Sequence, residues 1–198
     1  MPPSKRDDLI DAAMRVFYRS GFHNSSLDDI QEEGGISRMT LYNHFKSKDE
    51  LMVAAMRRRD EIFRNRMMKF AESKGATPRA HIEGVFDFHE DWFTGDDFHG
   101  CMFINASAEF SIADSAPRRI AAEHKQEIVR YLIKLLEADG CPAPHDLADQ
   151  LNILIEGAIV TARVVGQVVE NGTDPGAPAR LAKRMAINLL DQHGSRAS

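Results

Sequence analysis

Cysteine is scarce: the chain has only Cys101 and Cys141, forty positions apart. That spacing offers neither a disulfide framework nor the paired thiols of a tetrathiolate zinc site. A strong excess of one charge is missing too. The 25 Lys and Arg face 30 Asp and Glu for a net charge of −5, so any surface for a polyanion must be local. Long hydrophobic runs are absent, since the most apolar segment, residues 151–169, is interrupted by Glu156, Arg163 and Gln167. The first residues, Met1-Pro2-Pro3-Ser4-Lys5-Arg6-Asp7, form no apolar signal stretch. A protein of the reducing cytoplasm, with no membrane partner, is therefore expected. No glycine-rich phosphate loop is present, nor a nucleophile with an identifiable base and orienting partner, so neither an enzyme nor a cofactor is expected. His89, Asp96, Asp97, His99 and Cys101 lie close in sequence but lack a ligand spacing such as His-x-x-x-His, so no metal is expected either.

What is present is helical. With 198 residues, 43% of them hydrophobic, the chain can bury a real core. No Asn-Gly or Asp-Gly turn sits between alternating apolar runs, while apolar residues recur at three- and four-residue intervals. The spacing predicts nine helices: about 4–20, a short one opening at Ser25-Ser26-Leu27-Asp28 and ending at Gly34-Gly35, 38–44, 47–74, 78–93, 100–112, 117–138, 144–170 and 178–192. For the second helix the Ser25 hydroxyl is the expected cap, with Asp28 reaching back. Charge divides unevenly near Gly75. Residues 1–74 hold 14 basic and 12 acidic side chains and the remainder 11 and 18, so only the first part is drawn towards a polyanion.

The informative stretch is 25–51. Two short helices joined by a glycine-containing turn have the geometry that lays the second helix across the DNA major groove, although the same pair also occurs as plain packing. If Leu41 and Phe45 point inward, Arg38, Met39, Thr40, Tyr42, Asn43 and His44 remain on the outer face, a mixture of base-edge readers and phosphate donors. Lys46 and Lys48 follow at the next helix start, where amides and a cation can hold a phosphate together.

The run Leu27-Asp28-Asp29-Ile30-Gln31-Glu32-Glu33-Gly34-Gly35-Ile36-Ser37-Arg38-Met39-Thr40-Leu41-Tyr42-Asn43-His44-Phe45-Lys46-Ser47-Lys48-Asp49-Glu50-Leu51 resembles the N-terminal signature of TetR-family transcriptional regulators. The resemblance covers about residues 4–60. It implies an all-α, nine-helix fold: a helix-turn-helix DNA-binding head at 1–48 and a helical ligand-binding and dimerisation body at 49–198, with the fourth helix connecting them. A homodimer is implied, binding a palindromic operator and releasing it when a small effector of unknown identity binds the body. Carried over by position, residues 37–44 form the recognition helix. The expected DNA-facing set is Ser25, Ser37, Arg38, Met39, Thr40, Tyr42, Asn43, His44, Lys46 and Lys48. Gln31 and Gly34 stand where the family often has alanine, and Met39 where glycine is frequent.

Segments 100–106 and 154–162 resemble one subgroup of the family's bodies. Phe86, His89, Trp92, Phe93, Cys101, Phe103, Asn105 and Phe110 are the expected ligand-binding residues, an apolar set with a few polar fixtures, although core packing uses the same types. Cys101 opens an alternative, a thiol-based sensor of electrophiles or oxidants, because a helix start can lower a thiol's pKa. The bland reading of that residue is a small buried hydrophobe. A helical enzyme without DNA binding is the third reading. Leu151, Ile155, Ala158, Ala162, Val165 and Gly166 form a stripe at helical spacing, expected to be the dimer interface, with burial inside one subunit as the competing reading.

Overall fold

The structure is a computed structural model; it describes residues 4–165 and 174–194. Among them are nine helices and no strand: α1 (Lys5–Ser20), α2 (Leu27–Gly34), α3 (Arg38–His44), α4 (Lys48–Glu72), α5 (Pro78–Phe93), α6 (Met102–Glu109), α7 (Ala116–Ala138), α8 (Pro144–Val165) and α9 (Ala177–Gly194). Capping explains most of the boundaries. The Ser4 hydroxyl accepts the Asp7 N–H while the Asp7 carboxylate accepts the Ser4 N–H, a reciprocal pair that starts α1. Thr77 caps α5, whose first residue is Pro78. The cap of α2 is a correction. Ser26 performs it, with Asp29 reaching back, one residue beyond the expected Ser25 and Asp28.

The chain divides into two units. The first comprises Met1–Phe63 and Cys101–His124, the second Arg64–Gly100 and Lys125–Ser198. In the first, α1 packs on α2 and α3, and Leu9, Ala13, Val16 and Phe17 are buried together with Ile30, Leu41 and Phe45. Removing such side chains from water stabilises by roughly 1.5–3 kcal/mol each. Also in this unit, His124 is buried with Nδ1 2.7 Å from Asp60 Oδ1, and its ring stacks on Phe103 at 3.8 Å.

In the second unit α9 packs on both α8 and α5. Leu147, Leu151, Ile155, Ile159 and Ala162 of α8 are buried with Ala182, Ala186 and Leu190 of α9. Ion pairs run along the α5–α9 seam: Lys183 Nζ lies 2.7 Å from Asp87 Oδ1, and Arg180 Nη1 lies 2.6 Å from Glu90 Oε1. Among the described residues no helix is long and apolar enough to cross a membrane.

Candidate nucleic-acid interface

The site is built from α2, its turn and α3. Gly35 ends α2 in the left-handed conformation (φ 59°, ψ 35°), where a Cβ is strained, and the Ile36 N–H donates to the Gln31 carbonyl at 3.0 Å to close the helix end. Two residues later the Ser37 hydroxyl accepts the Thr40 N–H at 3.2 Å and α3 begins. The turn is thus fixed by one glycine and one cap. Ile36, Leu41 and Phe45 are buried, which points the opposite side of α3 to solvent.

On that side Ser37, Arg38, Met39, Tyr42, Asn43, His44 and Lys46 are exposed, and Thr40 is half-buried. Met39 is 74% exposed, far more than an apolar side chain needs for the fold. The Arg38 guanidinium lies 5.8 Å from the Tyr42 ring centroid, and bonding to the Tyr42 hydroxyl holds it above its ordinary pKa. A cation, an aromatic hydroxyl, an amide and a thioether therefore share one turn-and-a-half of helix, a set able to meet phosphates, base edges and a thymine methyl. Ser37 and Thr40 are partly occupied, their hydroxyls 2.9 Å apart.

Two residues of the expected set sit differently. Ser25 is buried and its hydroxyl donates to the Gly21 carbonyl at 2.5 Å, so it closes the end of α1 and does not face outward. Lys48 is half-buried, and its ammonium donates to the Phe22 carbonyl at 2.6 Å. The start of α4 is held by Glu50, whose N–H donates to the Ser47 hydroxyl at 3.1 Å and whose carboxylate accepts the Lys46 N–H at 2.8 Å. On α2, Asp29 is held below the ordinary carboxylate range by the Ser26 N–H and hydroxyl. Glu33 is held low by Arg15 and Arg19.

The expected ligand-binding residues fall four into each unit. In the second unit Phe86, His89, Trp92 and Phe93 are buried on α5, with His89 Nδ1 2.7 Å from the Val85 carbonyl and Trp92 at 5.8 Å from Phe93 between ring centroids. In the first unit Cys101 and Phe103 are buried, Asn105 and Phe110 half-buried, and Phe110 lies 4.8 Å from the His23 ring. Cys101 is the residue before α6 and makes no side-chain cap bond. Both cysteines are thiols.

The expected dimer stripe needs correction. Leu151, Ile155, Ala158 and Ala162 are buried in the chain's own core, Val165 is exposed, and Gly166 lies outside the described residues. Besides Val165, the apolar side chains that α8 and α9 leave uncovered are Ile153 (68% exposed), Val164 (62%), Val160, Leu181 and Met185. A groove of about 200 Å³ runs between them, lined in part by Ile153, Gly157, Thr161, Leu181 and Met185. A helix with apolar residues on two faces shows the same period whichever face the chain itself covers.

Glu109, whose carboxylate accepts the backbone N–H groups of Phe22 and His23, had no sequence signal, because its partners stand more than eighty residues away.

The domain family described as "Bacterial regulatory proteins, tetR family" matches residues 9–55, which span α1 to the start of α4. The HTH-type transcriptional regulator BetI of Agrobacterium fabrum is 31% identical over 171 residues, covering 81% of this chain and 77% of that protein. The HTH-type transcriptional repressor ComR of Escherichia coli is 29% identical over 170 residues, covering 80% and 79%. Among solved structures, SCO4454, a TetR-family transcriptional regulator from Streptomyces coelicolor, superposes with a TM-score of 0.84 at 25% identity, over 96% of this chain and 95% of that one.

Proposed function

The chain belongs to the TetR family of bacterial DNA-binding transcriptional regulators, and from that premise we propose that it is a repressor that binds a palindromic operator as a homodimer and releases it when a small effector binds. Residues 1–48 are the DNA-binding part in this reading and 49–198 the effector and dimerisation part. The observation that carries it is the outward face of α3: Arg38, Met39, Tyr42, Asn43 and His44 stand exposed above a buried Leu41 and Phe45, on a helix held by a turn and a cap.

Dimerisation belongs on the uncovered apolar face of α8 and α9, around Ile153, Val160, Val164, Leu181 and Met185, since exposed apolar patches of this kind mark association surfaces. The effector reading attaches to the α5 aromatic cluster. His89, Trp92 and Phe93 are packed against one another and Phe86 is buried on the same helix, so a ligand there must bind a conformation in which the rings part, and it shifts the population towards that state. Burial of Cys101 gives the thiol-sensor alternative no support.

The test is selection of duplexes from a randomised pool by the full-length protein, followed by gel-shift titration. Enrichment of an inverted repeat whose binding is lost in an Arg38→Ala, Tyr42→Ala variant is expected. No enrichment, or a double variant that binds as wild type, removes the reading. Trp92 is the one tryptophan of the chain, so its emission reports an effector entering the α5 cluster. A compound that releases the duplex without changing that emission binds elsewhere.

A further inference from the structure

The turn from α1 to α2 is held by a side chain that arrives from α6. Phe22 N–H donates to Glu109 Oε2 at 2.9 Å and to Oε1 at 3.1 Å, and His23 N–H donates to Oε2 at 2.8 Å. The His23 ring nitrogen Nδ1 lies 3.2 Å from the same oxygen. Next to Glu109, the Phe110 ring packs at 5.8 Å from Phe22 and 4.8 Å from His23. All of these residues belong to the first unit. Opposite, Lys48 donates to the Phe22 carbonyl at 2.6 Å. The backbone of Phe22 is thereby gripped at both polar groups, its N–H by a carboxylate and its carbonyl by an ammonium.

Charge-assisted bonds of this sort are shorter and stronger than neutral ones. The seat is close-fitting as well: Gly21 takes φ +83°, and a Cβ there would lie 3.0 Å from Glu109 Oε1. The turn leads directly into α2 and then α3, and Lys48 stands at the first residue of α4, four residues past the end of α3. The segment carrying the DNA-facing side chains is therefore bracketed by two tethers to one residue, Phe22. One of the two comes from residue 109, far outside the 9–55 match.

Resting on the reading that α3 contacts DNA, we propose that Glu109 is a positioning residue for DNA binding: the C-terminal end of α6 sets the α1–α2 turn, and through it the presentation of α3. Glu109 reaches no DNA in this assignment. A displacement of α6 must either break the hydrogen bonds from the two backbone N–H groups or move the turn with it.

The experiment uses the full chain and the duplex it enriches from a randomised pool, with Glu109→Ala and Glu109→Gln. Glutamine offers one neutral oxygen at the Oε2 position, which accepts from both N–H groups, but sets its NH2 where Oε1 accepted from Phe22, so it restores part of the contact, whereas alanine restores none. For Glu109→Ala the expected result is affinity weaker by about tenfold, the scale of losing charge-assisted hydrogen bonds. The slope of log affinity against log salt stays unchanged, because no phosphate contact is removed. Amide exchange at Phe22 and His23 should rise by about tenfold or more while α5 and α9 keep their protection. Stoichiometric titration fixes the active fraction, so partial unfolding shifts the endpoint and not the dissociation constant. If Glu109→Ala does not fold, Glu109→Gln alone decides: a loss of affinity smaller than tenfold with faster exchange at Phe22 is expected, and wild-type values of both overturn the assignment. Wild-type affinity in the alanine variant, unchanged exchange at the two amides, or a loss as large in glutamine as in alanine overturns the assignment. Absence of any enriched duplex for the wild type strikes the DNA-binding reading instead.

Discussion

Tyr131 on α7 carries a buried hydroxyl with no hydrogen-bond partner among the described residues, and burial, with the nearby Glu72 carboxylate second, pushes its pKa up to about 12. The raised value means the fold disfavours the phenolate. Stability from this residue is fully present below the unfolded value of about 10 and is lost as pH rises through 10 towards 12. Tyr131→Phe removes the unpaired group; at pH 7 the variant is expected between no change and a gain of about 1 kcal/mol. Urea midpoints at pH 8 and pH 11 should show the wild type losing more stability than the variant over that interval, and equal losses would refute the burial argument. At the surface proposed to face DNA, Lys46 is exposed beside the cap of α4. Lys46→Ala should weaken binding to all sequences alike and lower the salt slope by about 1, whereas Asn43→Ala should relax sequence preference and leave the slope intact. Residues such as Leu41 and Phe45 were legible because their four-residue spacing and flanking caps are local. Glu109 was not, since a carboxylate records nothing of a partner 87 residues away.

The helices themselves were legible wherever a cap marks the end. Predicted and observed limits agree for α3, and α5 opens at Thr77-Pro78 and stops at Phe93 as expected. Ser25 and Ser26 were not separable by sequence, because either hydroxyl has an aspartate three residues on. Only the backbone path decided for Ser26. On α8 the missing information was which apolar face the chain covers for itself. The distinction is testable by placing one charge on each face. Val164→Glu puts it on the uncovered side, where the fold tolerates it and a dimer does not, so a monomer with an unchanged melting temperature is expected in sedimentation. Ala162→Glu buries an unpaired carboxylate at a position the chain itself covers and should cost several kcal/mol of stability, read as a large drop in melting temperature. A dimeric Val164→Glu protein would move the interface off α8.

At the scale of the whole molecule the charge distribution and the symmetry act together. Residues 1–74 carry a small positive excess and the remainder a larger negative one, so the net charge favours a polyanion only towards the N-terminal part. Under the proposed function, one head with so few basic side chains on α3 and its flank is expected to bind weakly; joining two heads through the α8–α9 face would make the second contact intramolecular, and affinity would then depend on geometry as much as on charge. Two-fold helix-turn-helix dimers meet half-sites about one helical turn apart, roughly 34–36 Å, or multiples of it. Inserting about five base pairs between the half-sites of the enriched duplex turns one of them to the opposite side of the DNA, and binding should fall to the level of a single half-site. Inserting about ten base pairs restores the face but stretches the separation by one further turn, so recovery measures how far the two heads can spread. The Val164→Glu protein, reading one half-site at a time, should be indifferent to both insertions. If the wild type is equally indifferent, each head binds alone and the α8–α9 face has no part in recognition.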